Sequence, residues 1–326
     1  MVTEEGLIFE IKGSVHPDDR YIAYLRYVPD KRGTRKSDAD KGYTKIYDIE
    51  KRRIFLRRNF PQYLWFDQYS NRQMQAVPHE KIDFILNPVD ALRHMRDKGK
   101  HVLDLEKSTT SLVDALLDVS KIQESCIGVT GSQLVGLSGP TSDIDLVVYG
   151  EKSCKQLYHS LERDWESISG LRRYENHLLE KHVRFRWGTD NRSFAWLQKR
   201  EQSKLLQGLY ENFEFFIRLV KYPHEVGWKY GERTHSFIKK EIVVEGIITD
   251  DSQGIFTPCE YTISCEEHPS LKRVISFRGR FTEHVDKGML VRAHGRLESV
   301  SSVKEGITSQ YLILGESAKD FLIPVE

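Results

Sequence analysis

Through the first hundred residues the apolar positions recur mostly at every second place. Residues 7–12 and 21–28 alternate in this way around the turn-forming HPDD, and 43–49, 63–67 and 74–77 do so more briefly, which predicts strands. Two helical patches are expected next, at 79–86 and 89–97, with Asn87 and Pro88 as the break. The stretch 29–42, PDKRGTRKSDADKG, mixes both charges with glycine and reads as a solvated surface loop, with phosphate contact by Lys31, Arg32, Arg35 and Lys36 as the alternative.

From residue 107 the period lengthens. Leu112, Val113, Leu116, Leu117, Val119 and Ile122 fall at helical spacing, with cap candidates at 108–111, and 154–168 places Leu157, Leu161, Trp165 and Ile168 on one face of a second helix. Between them lie a short apolar run (127–130), the pair Gly131 and Ser132, one or two helical turns through Gln133, Leu134, Val135 and Leu137, and a buried strand starting at Ser142. Val183, Phe185 and Trp187 then alternate with Arg184 and Arg186, giving one apolar and one basic face, and a helix is expected over 196–206. Residues 213–220, FEFFIRLV, form another apolar strand. Beyond a connector rich in glycine and aromatic residues, five strands are expected at 241–249, 259–264, 273–281, 290–300 and 310–314.

This pattern predicts an α/β (α+β) chain in three parts. A β-rich N-terminal domain (1–105) precedes an α/β domain (106–234) and a small C-terminal β barrel (235–326), for which an OB-like fold is one option. Tyr261, Phe277, Phe281 and Tyr311 would either stack bases there or fill the barrel.

Candidate chemistry concentrates in one stretch, CIGVTGSQLVGLSGPTSDIDLVVY, from Cys126 to Tyr149. Gly131 lets backbone approach an anion, Ser132 offers a hydroxyl, and free amides at the start of the following turn favour negative charge. Asp143 and Asp145 share one face of the strand, while Ile144 and Leu146 point into its packed side. Two carboxylates ~4–5 Å apart repel by ~3–4 kcal/mol at an effective dielectric near 20, so a cation or a proton is expected between them. Hard oxygen donors point to Mg²⁺.

Gly-Ser, ten residues, then Asp-x-Asp on an apolar strand resembles the signature of the DNA polymerase beta-type nucleotidyltransferase superfamily. The likeness is tight over these two dozen residues and looser over about 107–222, and the chain order also resembles that of archaeal predicted nucleotidyltransferases. The resemblance implies a nucleotidyltransferase-type mixed sheet with helices, an NTP substrate held by Gly131 and Ser132, and two Mg²⁺ ions (Mn²⁺ as substitute) held by Asp143 and Asp145. It also implies a third metal-site carboxylate on a neighbouring apolar strand. Glu214 has that form, with a structural salt bridge to Arg218 as the competing role and Glu175 or Glu180 as substitutes. Lys199, Arg200 and Lys204, close together on one helix, are candidates with Arg218 for gripping phosphates; a solvated helix face is the alternative.

Bulk properties narrow the picture further. The 326 residues carry a net charge of +1, with 39% apolar and 30% charged side chains. No run approaches the ~18 apolar residues of a membrane span, and the opening MVTEEGLIFE lacks the basic and apolar blocks of a leader, so a cytoplasmic protein without membrane partners is expected. Four cysteines without CxxC spacing argue against zinc. Residues 170–207 hold 9 basic and 4 acidic groups, whereas 236–326 hold 11 and 14. A local anion track is therefore expected rather than a wholly basic protein.

The expected activity is metal-dependent transfer of a nucleoside monophosphate from an NTP to a hydroxyl, with pyrophosphate release and a nucleic-acid end as the first choice of acceptor. Adenylylation of a small molecule or protein by the same site, and an inactive nucleotide- or nucleic-acid-binding module, are the alternatives.

Overall fold

The computed structural model describes residues 1–37, 40–97, 103–188, 193–304 and 306–325. Positions 38–39 of the loop expected at 29–42 lie outside the described residues. Three sheets follow one another along the chain.

The first is assembled from eight strands: β1 (Val2–Thr3), β2 (Ile8–Ile11), β3 (Arg20–Pro29), β4 (Arg35–Lys36), β5 (Gly42–Lys45), β6 (Leu64–Asp67), β7 (Arg72–Pro78) and β8 (Ile82–Phe84). They run in the order β4-β5-β3-β2-β1-β8, with β7 joining β3 to β6. Helix α1 (Ile49–Asn59) packs Leu56 onto the core of Leu7, Phe9, Leu25 and Tyr63. Two expectations change here. The segment at 79–86 is a short 3₁₀ turn followed by β8 rather than a helix, and the supposed loop contains β4, paired to β5.

The second sheet carries the predicted chemistry. Helix α2 (Pro88–Asp97), α3 (Asp104–Ser120), β9 (Ile127–Val129), the single turn α4 (Gly131–Leu134), β10 (Ile144–Tyr149), α5 (Glu151–Asp164), β11 (Leu171–Arg172), α6 (Asn176–Trp187), α7 (Phe194–Ser203), β12 (Gln207–Tyr210) and β13 (Phe213–Val220) follow in order. The sheet reads β11-β12-β13-β10-β9, with β10 and β13 parallel and the remaining pairs antiparallel. Ile144, Leu146 and Val148 of β10 and Phe215, Ile217 and Leu219 of β13 bury one face against Leu112, Val113 and Leu116 of α3 and Leu157 and Leu161 of α5. Strand alternation then turns Asp145 on β10, and Glu214 and Arg218 on β13, to the opposite face.

That face is covered by the first sheet. Glu10 of β2 accepts a hydrogen bond from Arg218 Nη1 at 2.7 Å, Ser14 Oγ donates to the Lys221 carbonyl at 2.7 Å, and Leu137 packs with Val2, Ile8 and Tyr27.

The third sheet comprises β14 (Arg233–Gln253), β15 (Cys259–Ser264), β16 (Leu271–Ser276), β17 (Leu290–Ser302), β18 (Ile307–Leu314) and β19 (Phe321–Pro324). Its order, β14-β15-β16-β18-β17-β19, is closed into a ring by a further pairing of β14 with β17, and β16 and β18 run parallel. Tyr261 and Phe281 are buried in the ring's core, Tyr311 is buried in a separate cluster with Val300 and Ile313, and Phe277 is exposed.

The ring docks on α6 and α7, and this is where the basic stretch goes. Residues 182–187 lie on helix α6, not on the alternating strand their spacing suggested. Trp187 stacks on His284 at 4.7 Å, and Glu283 accepts from the Leu205 and Leu206 amides. At the centre of the junction Glu201 accepts from Lys204 Nζ at 2.8 Å, Trp187 Nε1 at 3.0 Å and Gln207 Nε2 at 2.7 Å, with His182 Nε2 at 3.2 Å and Arg186 Nη1 at 3.5 Å. Its carboxyl lies well below the usual range despite the cost of burial, because Lys204 and Arg186 face it. Removing one partner of such a group strands the others in low dielectric, so Glu201→Gln is expected to cost about 3–5 kcal/mol, measured as a shift in the denaturant midpoint followed by tryptophan fluorescence.

Candidate active site

The Asp-x-Asp pair and the Gly-Ser turn meet in space. Asp145, half-buried, begins β10 just after the exposed Asp143, and the Thr130 amide donates to the Asp145 carbonyl at 2.8 Å. Gly131 takes a left-handed conformation, φ +64°, and a β-carbon there would lie 2.0 Å from Asp145 Oδ2. Only glycine admits the carboxylate at that distance, and only glycine takes that φ without strain. The turn and the acid therefore form a single surface.

Next to it lies a hydroxyl pair. Ser132 Oγ donates to Ser142 Oγ at 3.0 Å, the Gly139 amide donates to the same oxygen at 2.9 Å, and Leu137 N donates to the Ser132 carbonyl at 2.9 Å, closing the loop on itself.

The electrostatics of the acids follow from their placement. Burial, and then the neighbouring charge of Asp143, push the Asp145 carboxyl up to about 6, against the smaller pull of Arg218 and Lys45. A carboxylate pair so held favours a proton or a cation.

Glu214 sits in the neighbouring row. The parallel register pairs Ile144 with Phe215, and Glu214 immediately precedes Phe215 on β13 as Asp143 precedes Ile144 at the start of β10. Glu214 is nonetheless exposed, which removes the argument that a buried strand needed a ligand for it, and its Oε2 accepts from Tyr174 Oη at 2.9 Å. Burial and Glu214 hold the Tyr174 phenol above its ordinary range, with Asp143 adding a smaller push. Arg218 does not pair with Glu214; it bridges to Glu10, which also holds Lys12 at 2.6 Å and Arg26 at 3.3 Å.

The remaining candidates are dispersed. Lys204 is buried between Glu201 and the Arg280 carbonyl, and Arg200 makes a two-pronged pair with Asp286 of the third sheet. Both are committed to the docking of the ring, while Lys199 is exposed on α7. Glu180 pairs with Arg184 along α6 at 2.7 Å, and Glu175 is exposed just before that helix.

Residues 112–203 match the model of a nucleotidyltransferase domain. Over that stretch the chain is similar to nucleotidyltransferase domains. The match spans α4, β10 and α5 and stops short of β13, so Glu214 and Arg218 lie beyond it. A protein of Methanocaldococcus jannaschii, described only as uncharacterized, is 26% identical to the chain over 98% of this sequence and 95% of its own. No solved structure matches significantly. Among the described residues no helix is long and apolar enough to cross a membrane.

The donor set of the nucleotidyltransferase domain can be tested against Mg²⁺. Among the described residues no three Asp, Glu, His or Cys side chains converge as a closed metal cage. Mg²⁺ rarely asks for one: it is commonly held by one or two carboxylates and completes its shell with water and substrate phosphates. Two adjacent carboxylates, one of them with a raised pKa, fit that mode.

One cation that the sequence reading left in a solvated loop is placed at the site. Arg35 of β4 reaches across to the hydroxyl pair, donating to Ser142 Oγ at 3.0 Å and the Leu137 carbonyl at 3.4 Å. Nothing in a mixed-charge loop distinguishes one arginine from its neighbours; only the pairing of β4 with β5 aims it.

Two outcomes are expected. Gly131→Ala must shift either the turn or Asp145 and should destabilise the protein by about 1–3 kcal/mol, read by denaturant unfolding. A carboxyl whose folded pKa is raised favours folding while protonated, so its contribution is full below about pH 4 and is lost as pH climbs through about 6. With divalent cations chelated, Asp145→Asn should therefore be more stable than wild type at pH 8 by on the order of 2 kcal/mol, and the gap should close below about pH 4 in a series of thermal melts.

Proposed function

We propose that the protein is a Mg²⁺-dependent nucleotidyltransferase of the polymerase beta type, acting in the cytoplasm, that moves a nucleoside monophosphate from an NTP to a hydroxyl and releases pyrophosphate. The observation that carries this reading is the contact of Gly131 with Asp145: the phosphate turn and the metal-type acids are one site. Asp143 and Asp145 would hold Mg²⁺, with Glu214 available to a second ion, and the metal when bound neutralises the triphosphate and acidifies the attacking hydroxyl.

The chain's own groups account for the remaining roles. Ser132 and Ser142 present hydroxyls that orient the phosphates, which is positioning rather than bond-making. The acceptor oxygen forms a bond to the α-phosphorus as the bond from that phosphorus to the bridging oxygen of the leaving pyrophosphate breaks. Glu214, whose Oε2 accepts from Tyr174, would take the proton of the attacking hydroxyl.

Support for a nucleic-acid end as acceptor comes from the first sheet, which walls the site and exposes Lys31 and Arg32 before β4 and Lys51, Arg57 and Arg58 on α1. The closed five-strand ring of the third sheet also supports an OB-like reading, although its buried aromatics argue for filling rather than base stacking.

Incorporation of each labelled NTP into total RNA, DNA and protein with Mg²⁺ or Mn²⁺ tests the proposal. Asp143→Asn and Asp145→Asn should each lower transfer by on the order of 10²–10³-fold, the equivalent of several kcal/mol of lost charge stabilisation. Unaltered transfer in both variants would remove these acids from the mechanism, and label that survives nuclease treatment would replace a nucleic-acid acceptor with a small molecule or protein.

A further inference from the structure

Ser142 Oγ is oversubscribed. Arg35 Nη1 donates to it at 3.0 Å, Ser132 Oγ at 3.0 Å and the Gly139 amide at 2.9 Å. A hydroxyl oxygen offers two lone pairs, so three donors aimed at one neutral acceptor cannot all be well satisfied. Gly139 leaves room for this convergence, since a β-carbon there would lie 2.6 Å from Arg35 Nη1. Among the described residues Arg35 has no carboxylate partner, and its hydrogen bonds all come from Nη1. Among the described residues no partner takes the rest of the fork, which lies beside a turn packed on Asp145.

A surplus of donors, one of them a guanidinium, converging on a weak acceptor suits an oxygen-rich anion. A phosphate carries charge and several lone pairs per oxygen, and a planar guanidinium fork matches it in two-pronged fashion. The nucleobase and ribose have no such demand. The donors therefore select the polyphosphate tail.

We propose that Arg35, delivered from the first sheet, is the cation that grips the terminal phosphates of the nucleotide at the Gly131–Ser132 turn, with Ser142 as its resting partner until phosphate oxygens take over the three donors. This rests on the nucleotidyltransferase reading and deepens it. The phosphate subsite is shared between two sheets, and it is complete only while the first sheet is seated on the second through Glu10 and Arg218. Arg35 takes the role that sequence spacing offered to Lys199, Arg200 and Lys204, two of which are engaged at the ring.

The test uses the full chain, with inorganic tripolyphosphate in Mg²⁺ as the probe and calorimetry as the readout, for wild type, Arg35→Lys and Arg35→Gln. Arg35→Gln should bind tripolyphosphate at least about 10-fold more weakly, the loss expected for a charge-assisted hydrogen bond, and Arg35→Lys should recover part of it. In the incorporation assay KM for the NTP should rise similarly while kcat stays within about threefold, and binding of a nucleoside monophosphate should not change. Thermal melts matching wild type exclude a folding effect; should Arg35→Gln melt early, Arg35→Lys gives the same reading.

Wild-type affinity in both variants, or an equal loss for monophosphate and tripolyphosphate, overturns the assignment of Arg35. A wild-type protein that binds neither tripolyphosphate nor any NTP overturns the nucleotidyltransferase reading itself, a result distinct from an insensitive Arg35.

Discussion

The carboxylate of Asp145 lies against the turn at Gly131, where a β-carbon would have to be, and much of the rest of the molecule can be understood as holding that contact in place. The left-handed glycine turns the chain from β9 into α4, and the Thr130 amide ties it back to the Asp145 carbonyl. Behind the acid, Ile144, Leu146 and Val148 are locked into the helix-backed core, so the strand cannot slip by one residue without exchanging its apolar and acidic faces. The repulsion between Asp143 and Asp145 is thus imposed by packing. It surfaces as a carboxyl raised to about 6, a stored preference for a cation.

The same face would be costly to bury without counter-charge, and the first sheet supplies it. Glu10 gathers Lys12, Arg26 and Arg218, leaving an excess of positive charge beside the acids, while Lys45 adds to the pull on Asp145. Burial draws the Lys12 ammonium down to about 8, yet Glu10 keeps its own carboxylate well below the ordinary range, as expected where one acid serves three cations. Arg218 is thereby a hinge between sheets. Its guanidinium, paired with Glu10, helps fix the wall of the cleft.

How much of this was legible in the sequence depends on whether the deciding interaction was local. The alternation of β10, the Gly-Ser break and the helical face of α3 each follow from residues within a few positions and appear there, although α3 begins at Asp104, so the cap candidates at 108–111 lie inside it, and β10 begins at Ile144 rather than Ser142. Residues 182–187 misled because a helix with Val183 buried on one side and Arg184 and Arg186 on the other also alternates over so short a span; tertiary burial of His182 and Val183 decided the matter. Helix α1 went unread for the opposite reason, since only Arg52 and Leu56 are buried in eleven residues and its face is hidden among arginines. Side-chain partners were the least legible. Lys204, Arg200 and Arg35 have the same charge, and only the fold determines which of them meets Glu201, Asp286 or Ser142.

That sorting of cations bears on where an acceptor would approach. Of the 9 basic residues of 170–207 that suggested an anion track, Arg186 and Lys204 share the buried Glu201, Arg200 pairs with Asp286 and Arg184 with Glu180. Charge that is paired and desolvated contributes little to the field felt by a distant phosphate. The basic residues of the first sheet and α1 remain largely in solvent on the element that also brings Arg35 to Ser142 and Lys45 to the field at Asp145. A polyanionic acceptor drawn by that field would come in over the first sheet, and its end would meet Asp143 from the side opposite the helices that back β10.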